Sequence, residues 1–308
     1  MDMVKGIRKC IDYVLDTKSF VLNFDVGKPT DQALLVAKSI RGNERGPAIL
    51  IHGVMKRSGT VYVGELLGLH PDLYPYPNRV WEIPFLPLTG DICKVQQHFF
   101  FLYEQNTDKI GENDFLPLFG SSFIAYLHSF VPEGKRMLLK MPGVQYLNYF
   151  FSVFPYENLL ILVRDGRDVV TSTVRTWPQI RFSHACQRWD RSAKMILAFQ
   201  AHNEDSGYWL ARFEDAVHDP AAFVKEACRR FGLDESRYPY EKIESIPVQG
   251  SSSFKDKEQG RVRYFVPKPA GFKPVGRWQQ WSAWQKWIFK RIAGKSLLDL
   301  GYCTDLNW

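Results

Sequence analysis

The sequence predicts an α/β fold with a parallel sheet carrying helices on both faces. Two observations lead there. Apolar runs short enough to be buried strands recur at 48–52, 159–163 and 208–212, and stretches of helical period separate them. Strands that alternate with helices pair in parallel, with the crossovers covering both faces. With 308 residues, 45% hydrophobic and 15% aromatic, the chain has enough apolar surface for a sizeable core. One domain over 1–308 is expected, as α/β folds commonly reach this size undivided.

The elements follow in order. Residues 1–46 read as helical pieces forming an N-terminal extension, with 38–46 as a polar link into the first strand. Residues 70–90 hold Pro71, Pro75, Pro77, Pro84 and Pro87 and read as an irregular loop. Residues 91–131 are aromatic-rich and helical, with Phe99, Phe100, Phe101, Phe115 and Phe119. Further helices are expected over 144–154, 168–175, 183–205 and 221–231, a polar loop over 249–263, and a last helix from Ser282. No internal repeat or low-complexity tract is visible. Trp278, Trp281, Trp284 and Trp287 recur every third residue, which approximates one helical face and predicts packing on the protein body rather than carbohydrate stacking.

The most informative stretch is Ala48-Ile-Leu-Ile-His-Gly53 followed by Val-Met-Lys-Arg-Ser-Gly-Thr60. A strand breaks into a short loop holding Lys56 and Arg57, and a helix with Val63, Leu66 and Leu67 on one face begins at once. Such a loop aims main-chain N–H groups and the positive end of a helix dipole at one point, as a phosphate requires. It is not a Walker A loop, because Gly53 and Gly59 stand one residue too far apart and no Lys follows Gly59. Arg57 lies inside the loop, where a planar fork of donors grips an oxyanion and its neighbours.

A second motif agrees with the first. The run Leu159-Leu-Ile-Leu-Val163 leads directly into Arg164-Asp-Gly-Arg-Asp168, and Ser172 lies eight residues past Arg164, about two helical turns. A helix N-terminus with Asp165 and Asp168 complementing its dipole and both arginines in surface ion pairs would explain the acids. It does not explain two cations flanking a glycine at a strand end.

Together these motifs resemble sulfotransferases that use 3′-phosphoadenosine 5′-phosphosulfate (PAPS), and the Arg-Ser-Gly-Thr form is nearest to bacterial and tyrosylprotein members. Weaker similarities lie in Leu138-Leu-Lys-Met-Pro142, Tyr208-Trp-Leu-Ala-Arg-Phe-Glu-Asp-Ala-Val-His-Asp-Pro220, Lys273-Pro-Val-Gly-Arg-Trp278 and Leu298-Asp-Leu-Gly-Tyr302. The matches run over a core of 47–302. The resemblance implies a P-loop-NTPase-like sheet and a site in which Lys56, Arg57, Ser58, Gly59, Thr60, Val61 and Tyr62 bind the 5′ side of the cofactor. It assigns the 3′-phosphate to Arg164 and Ser172, with Lys273 and Arg277 reaching it from the C-terminal segment. Tyr62 is either an aromatic face for the adenine or a core residue.

The chemistry implied is in-line transfer of a sulfuryl group to an acceptor hydroxyl, with 3′-phosphoadenosine 5′-phosphate (PAP) as product and no metal. Such a transfer needs a base for the acceptor and stabilisation of charge on the leaving oxygen. Arg57 is the candidate for the second task and Glu82, in Asn78-Arg-Val-Trp-Glu-Ile-Pro84, for the first, with His98 as the substitute. Lys140 either touches the transferring group or the acceptor, or snorkels from a strand end. A saccharide, a lipid head group or a small natural-product alcohol each fits as acceptor. A kinase using ATP and Mg²⁺ lacks its Gly-Lys-Ser/Thr here, and a non-catalytic adenine-nucleotide binder has no use for Arg57 plus a base.

Forty basic against thirty-three acidic residues give a net charge of +7, which suits anionic ligands, but no dense basic run or RNA-reading motif points to nucleic acid. Cys10, Cys93, Cys186, Cys228 and Cys303 are odd in number and scattered, which argues against a disulfide framework or zinc site and for a reducing compartment. With no signal-peptide pattern and no apolar span of membrane length, a cytoplasmic location is expected.

Overall fold

The computed structural model describes residue 24, residues 26–80, 82–203 and 207–246, the strands Phe254–Lys255 and Val262–Arg263, and residues 273–308. Its main sheet has five strands: β1 (Ile49–Gly53), β2 (Leu73–Pro75), β3 (Arg136–Met141), β4 (Asn158–Val163) and β5 (Tyr208–Arg212). Their order is β2-β3-β1-β4-β5 and every pairing is parallel. Ile51 lies opposite Lys140 on one side and Leu160 on the other, so the C-terminal ends of β1, β3 and β4 finish together. That edge is where ligands bind in open parallel sheets.

Ten α-helices are described: α1 (Asp31–Arg41), α2 (Thr60–Gly68), α3 (Thr89–Leu102), α4 (Phe115–His128), α5 (Phe150–Val153), α6 (Gly166–Thr176), α7 (Phe182–His202), α8 (Phe213–His218), α9 (Pro220–Phe231) and α10 (Ala283–Asp299). Strand side chains alternate between faces, and the core divides accordingly. Ile49, Ile51, Leu138, Leu160 and Leu162 pack with residues of α2, α8 and α9. Leu50, Leu139, Leu159, Ile161 and Val163 pack with α4, α5, α6, α7 and α10. The helices therefore cover both faces, as expected, and give the P-loop-like α/β architecture. No described helix is long and apolar enough to cross a membrane.

Several expectations are corrected. The link 38–46 is helical as far as Arg41, because that residue is buried and pairs with Glu157, whose carboxylate also accepts from the N–H of Ala48. The proline-rich stretch contributes an edge strand, Leu73–Pro75, since a strand paired on one side only tolerates a proline at its end. The helix expected over 144–154 is reduced to a 3-10 turn, Leu147–Tyr149, and the single turn of α5. Helix α8 has no counterpart in the sequence reading. Within the polar loop at 249–263 only β6 (Phe254–Lys255) and β7 (Val262–Arg263) are described, as an antiparallel pair. The rest of that loop, Cys10, Trp81 and residues 1–23 lie outside the described residues.

The tryptophan series divides. Trp281 is buried and its indole N–H donates to Thr171 Oγ1 at 2.9 Å. Trp278 packs against Arg167 and Trp308. Trp284 and Trp287 are 64% and 50% exposed and stack on each other with ring centroids 4.8 Å apart. The helix begins only at Ala283, so the four tryptophans never share one helical face.

Candidate active site

The loop between β1 and α2 is built from the end of the central strand. The N–H of Val54 donates to Leu162 O at 2.9 Å, extending the sheet contact by one residue. The chain then turns, with the N–H of Met55 on Ser58 Oγ at 3.0 Å and the N–H of Ser58 on Met55 O at 3.2 Å. Arg57 (φ 81°) and Gly59 (φ 94°) both take left-handed backbone conformations. Gly59 has a second reason to be glycine, as a Cβ there would stand 2.2 Å from the Phe213 ring. Helix α2 starts with no side-chain cap, so its leading N–H groups face the loop's concavity without an internal acceptor of that kind. Those groups belong to the stretch from Gly59 to Val61.

The two sequence motifs meet in space. Arg57 Nε donates to Ser172 Oγ at 2.9 Å. Arg164 lies beneath, donating from Nη1 to Arg57 O at 2.8 Å and from Nη2 to Pro274 O at 2.6 Å. Its guanidinium rests 4.4 Å from the Phe213 ring centroid. Among the described residues its Nε, although buried, makes no hydrogen bond. The segment 274–278 is drawn in by Asp168, whose carboxylate accepts from the N–H groups of Gly276 (2.8 Å), Arg277 (2.7 Å) and Trp278 (3.4 Å). Arg277 thereby joins Arg57 and Arg164.

The electrostatics of this cluster favour an anion. Burial, then Arg164 and Arg277, push Arg57 down to about 10. Burial, then Arg175 and Arg164, lower Arg277, against a smaller opposing effect from Asp168. In both, arginines are the leading neighbours after burial. A phosphate relieves this crowding of like charge with charge-assisted, forked hydrogen bonds.

The rest of the Arg-Asp-Gly-Arg-Asp motif is architectural. Arg167 is buried, not in a surface ion pair. It pairs with Asp165 at 2.7 Å and lies between Trp278 (3.9 Å) and Trp308 (4.7 Å). Asp165 caps α6 by accepting from the N–H of Arg167, and its own N–H donates to Glu214 Oε1 at 2.9 Å.

On the β3 side, Lys140 is fully buried and its Nζ lies 3.2 Å from Glu82 Oε1, while Glu82 is 41% exposed. The Glu82 segment is held there by the N–H of Ile83 on Lys140 O at 3.1 Å. Burial lowers Lys140, opposed by Glu82 and then Glu65. Burial also raises Tyr76, with Glu65 and Glu82 adding to the effect. His52, the last side chain of β1, is buried with Nδ1 2.9 Å from Gly143 O, and burial pushes it down to about 4.

Not every expected residue reaches the site in the same way. Tyr62 is 3% exposed, its hydroxyl donates to Ala216 O at 3.2 Å, and its ring packs edge-on against Phe213, the contacts of a core residue. Val61 is likewise buried. Lys56 and Lys273 are exposed. His98 is exposed on α3 and stacks on Phe101, the most exposed large apolar residue described. Missed by sequence reasoning were Phe213, Glu65, Glu214 and Arg175. Arg175 carried a signal, standing one turn beyond Ser172 on the same helix. Phe213 and Glu214 stood in the segment 208–220 that resembles the family, without a role assigned to them, and Glu65 carried no signal.

Comparison with known proteins identifies the family and the fold. The model of the sulfotransferase family matches residues 47–237. The chain is similar in structure to the sulfotransferase domain of the Synechococcus PCC 7002 olefin synthase, with a TM-score of 0.51 and 18% identity over 83% of this chain and 96% of that one. It is also similar to mouse sulfotransferase SULT7A1 complexed with PAP, with a TM-score of 0.50 and 14% identity over 90% and 93% of the two chains. Among curated sequences none matches. The family match spans well over half of the chain and covers the loop after β1, the Arg164–Ser172 motif and the Glu82–Lys140 pair, and the protein belongs to the sulfotransferase family.

Proposed function

We propose that this sulfotransferase takes its sulfuryl group from PAPS and passes it to an acceptor hydroxyl by in-line displacement. The observation that carries the reading is the hydrogen bond from Arg57 to Ser172, with Arg164 bridging to the C-terminal segment. Two anion-binding motifs far apart in sequence thus form one cationic hollow, suited to a ligand with phosphate at two positions. The residues fit the donor: the N–H groups after Arg57 suit the 5′-phosphate, and Arg164, Ser172 and Arg277 the 3′-phosphate. The PAP held by mouse SULT7A1, a protein of the same fold, supports the same ligand class here.

Bound there, the donor supplies an activated sulfuryl group. Arg57 places a guanidinium where charge develops on the oxygen that leaves. Glu82, half open to solvent and adjacent to the loop's strand neighbour, takes the acceptor's proton. Lys140 holds Glu82 in place and keeps a positive charge beside the transfer path. His52, neutral at physiological pH, serves the strand end rather than proton transfer. In this reading residues 71–90 and the aromatic segment 91–131 select the acceptor.

Calorimetric titration with PAP, AMP and ATP, with and without Mg²⁺, tests this. Metal-independent binding of PAP that weakens sharply for AMP is the expected result. Preference for ATP with Mg²⁺ overturns it.

A further inference from the structure

Asp168 is completely buried in the first turn of α6, and no lysine or arginine side chain within hydrogen-bond distance of it is described. Its two carboxylate oxygens are spent on main-chain N–H groups more than a hundred residues away. Oδ2 takes Gly276 and Oδ1 takes Arg277 and, at longer range, Trp278. Burying a carboxylate is costly unless hydrogen bonds replace its hydration, and successive amides converging on one anion supply them. Gly276 makes the convergence possible with φ 81°, which starts the 3-10 turn Arg277–Gln280. Pro274, two residues earlier, meets Arg164 through its carbonyl. The turn is therefore pinned at both ends to the strand-to-helix motif, by Arg164 at Pro274 and by Asp168 at 276–278.

We infer that Asp168 is a positioning residue for donor binding, acting through Arg277, whose guanidinium it brings to the 3′-phosphate side of the hollow. This rests on the donor reading above. The inference assigns the last residue of the Arg-Asp-Gly-Arg-Asp motif a task distinct from that of the first. Arg164 touches the ligand's side of the cluster, and Asp168 fixes a second cation that reaches the cluster from the far end of the chain. Like charges do not gather unaided, and Arg277 sits among Arg57, Arg164 and Arg175 because its backbone is tied down.

Asp168→Asn is nearly isosteric but turns one acceptor oxygen into a donor facing an N–H, so at least one tether is lost. The expected result is a roughly tenfold loss of PAP affinity with AMP affinity unchanged, seen as a raised KM for donor and a nearly constant kcat. Arg277→Ala is expected to lose PAP affinity to a similar extent, and the double variant to lose no more than either single one. Gly276→Ala disturbs the turn from its other side, where no side chain stands within 3.4 Å of the added methyl, and is expected to give the same PAP-selective loss. It keeps the test decisive if Asp168→Asn does not fold. Unchanged PAP binding in folded Asp168→Asn, equal loss of PAP and AMP, or additive losses in the double variant overturns the inference. In the parent protein, failure to prefer PAP over AMP instead overturns the donor reading itself.

Discussion

Arg57 Nε and Ser172 Oγ are joined by a hydrogen bond of 2.9 Å, although 115 residues separate them in the chain. The bond sets the spacing between the loop after β1 and the helix after β4. A guanidinium is a planar fork of donors, the shape that suits an oxyanion.

Replacing Arg57 with Ala is expected to lower kcat about 10²–10³-fold, the usual cost of removing a donor aimed at developing negative charge. Arg57→Lys keeps the charge but loses the fork and is expected to recover only part of it. Ser172→Ala combined with Arg57→Ala is expected to show a coupling of about 0.5–3 kcal/mol in PAP binding. Steady-state kinetics and calorimetry measure both, and strict additivity contradicts a shared site.

Glu82→Gln is expected to reduce turnover about 10²–10⁴-fold while PAP still binds as in the parent protein. Lys140→Met, close in length and able to remain buried, is expected to lower turnover while leaving the fold intact. A Glu82→Gln protein with parental kcat contradicts the base assignment.

Gly59→Ala forces a positive φ on a residue with a Cβ and drives that Cβ into Phe213, which the Arg164 guanidinium holds from its own side. The expected cost is about 2–5 kcal/mol of stability, read from the shift in a urea unfolding midpoint. A stable Gly59→Ala protein contradicts the close packing of this loop.

Acid should destabilise the fold through its buried histidines. Folded His52 and His128 both take a proton only near pH 4, His52 because of burial and His128 because of burial with Arg45 and Arg41 nearby. Unfolded, each takes one near 6.5. Between these values the unfolded chain binds more protons, so stability present above pH 6.5 is lost as the pH falls toward 4, by ~3 kcal/mol for His52. Neither ring nitrogen of His128 has a hydrogen-bond partner among the described residues, so His128→Leu is expected to fold and to shed its share of that loss. Unfolding midpoints at pH 7 and pH 5 compare the slopes, and identical slopes count against the assignment.

The tryptophans near the C-terminus should separate sharply. Trp281→Ala is expected to cost about 3–5 kcal/mol, whereas Trp284→Ala and Trp287→Ala, on the outside, should each stay within about 0.5 kcal/mol. Thermal melts of the three variants decide this.

The strands and the loop after β1 were legible because their signals are local. An apolar run ending at Gly53 or Val163 and followed by cations and a helix start declares itself within a dozen residues. Arg164 and Ser172 were legible for the same reason. What failed were features created by distant partners. Leu73–Pro75 is a strand because Arg136–Leu138 offers it an edge, which no property of the proline-rich stretch announces. Tyr62 reads equally as a stacking face or a core residue until Phe213 and Ala216 enclose it. The start of the last helix at Ser282 was legible, but the three-residue period of the tryptophans hid that Trp284 and Trp287 face outward. Asp168 looks like a dipole-compensating acid at a helix start until the far end of the chain reaches it.

The edge strand has a bearing on how the molecule behaves in company. Parallel sheets invite another strand to extend them, and a long exposed edge is a hazard in a crowded solution. Here the outermost strand beside β3 lasts three residues and finishes in Pro75, which has no N–H to offer. On that side the described sheet presents almost no main-chain template, so growth from one molecule to the next stops at the proline-rich stretch.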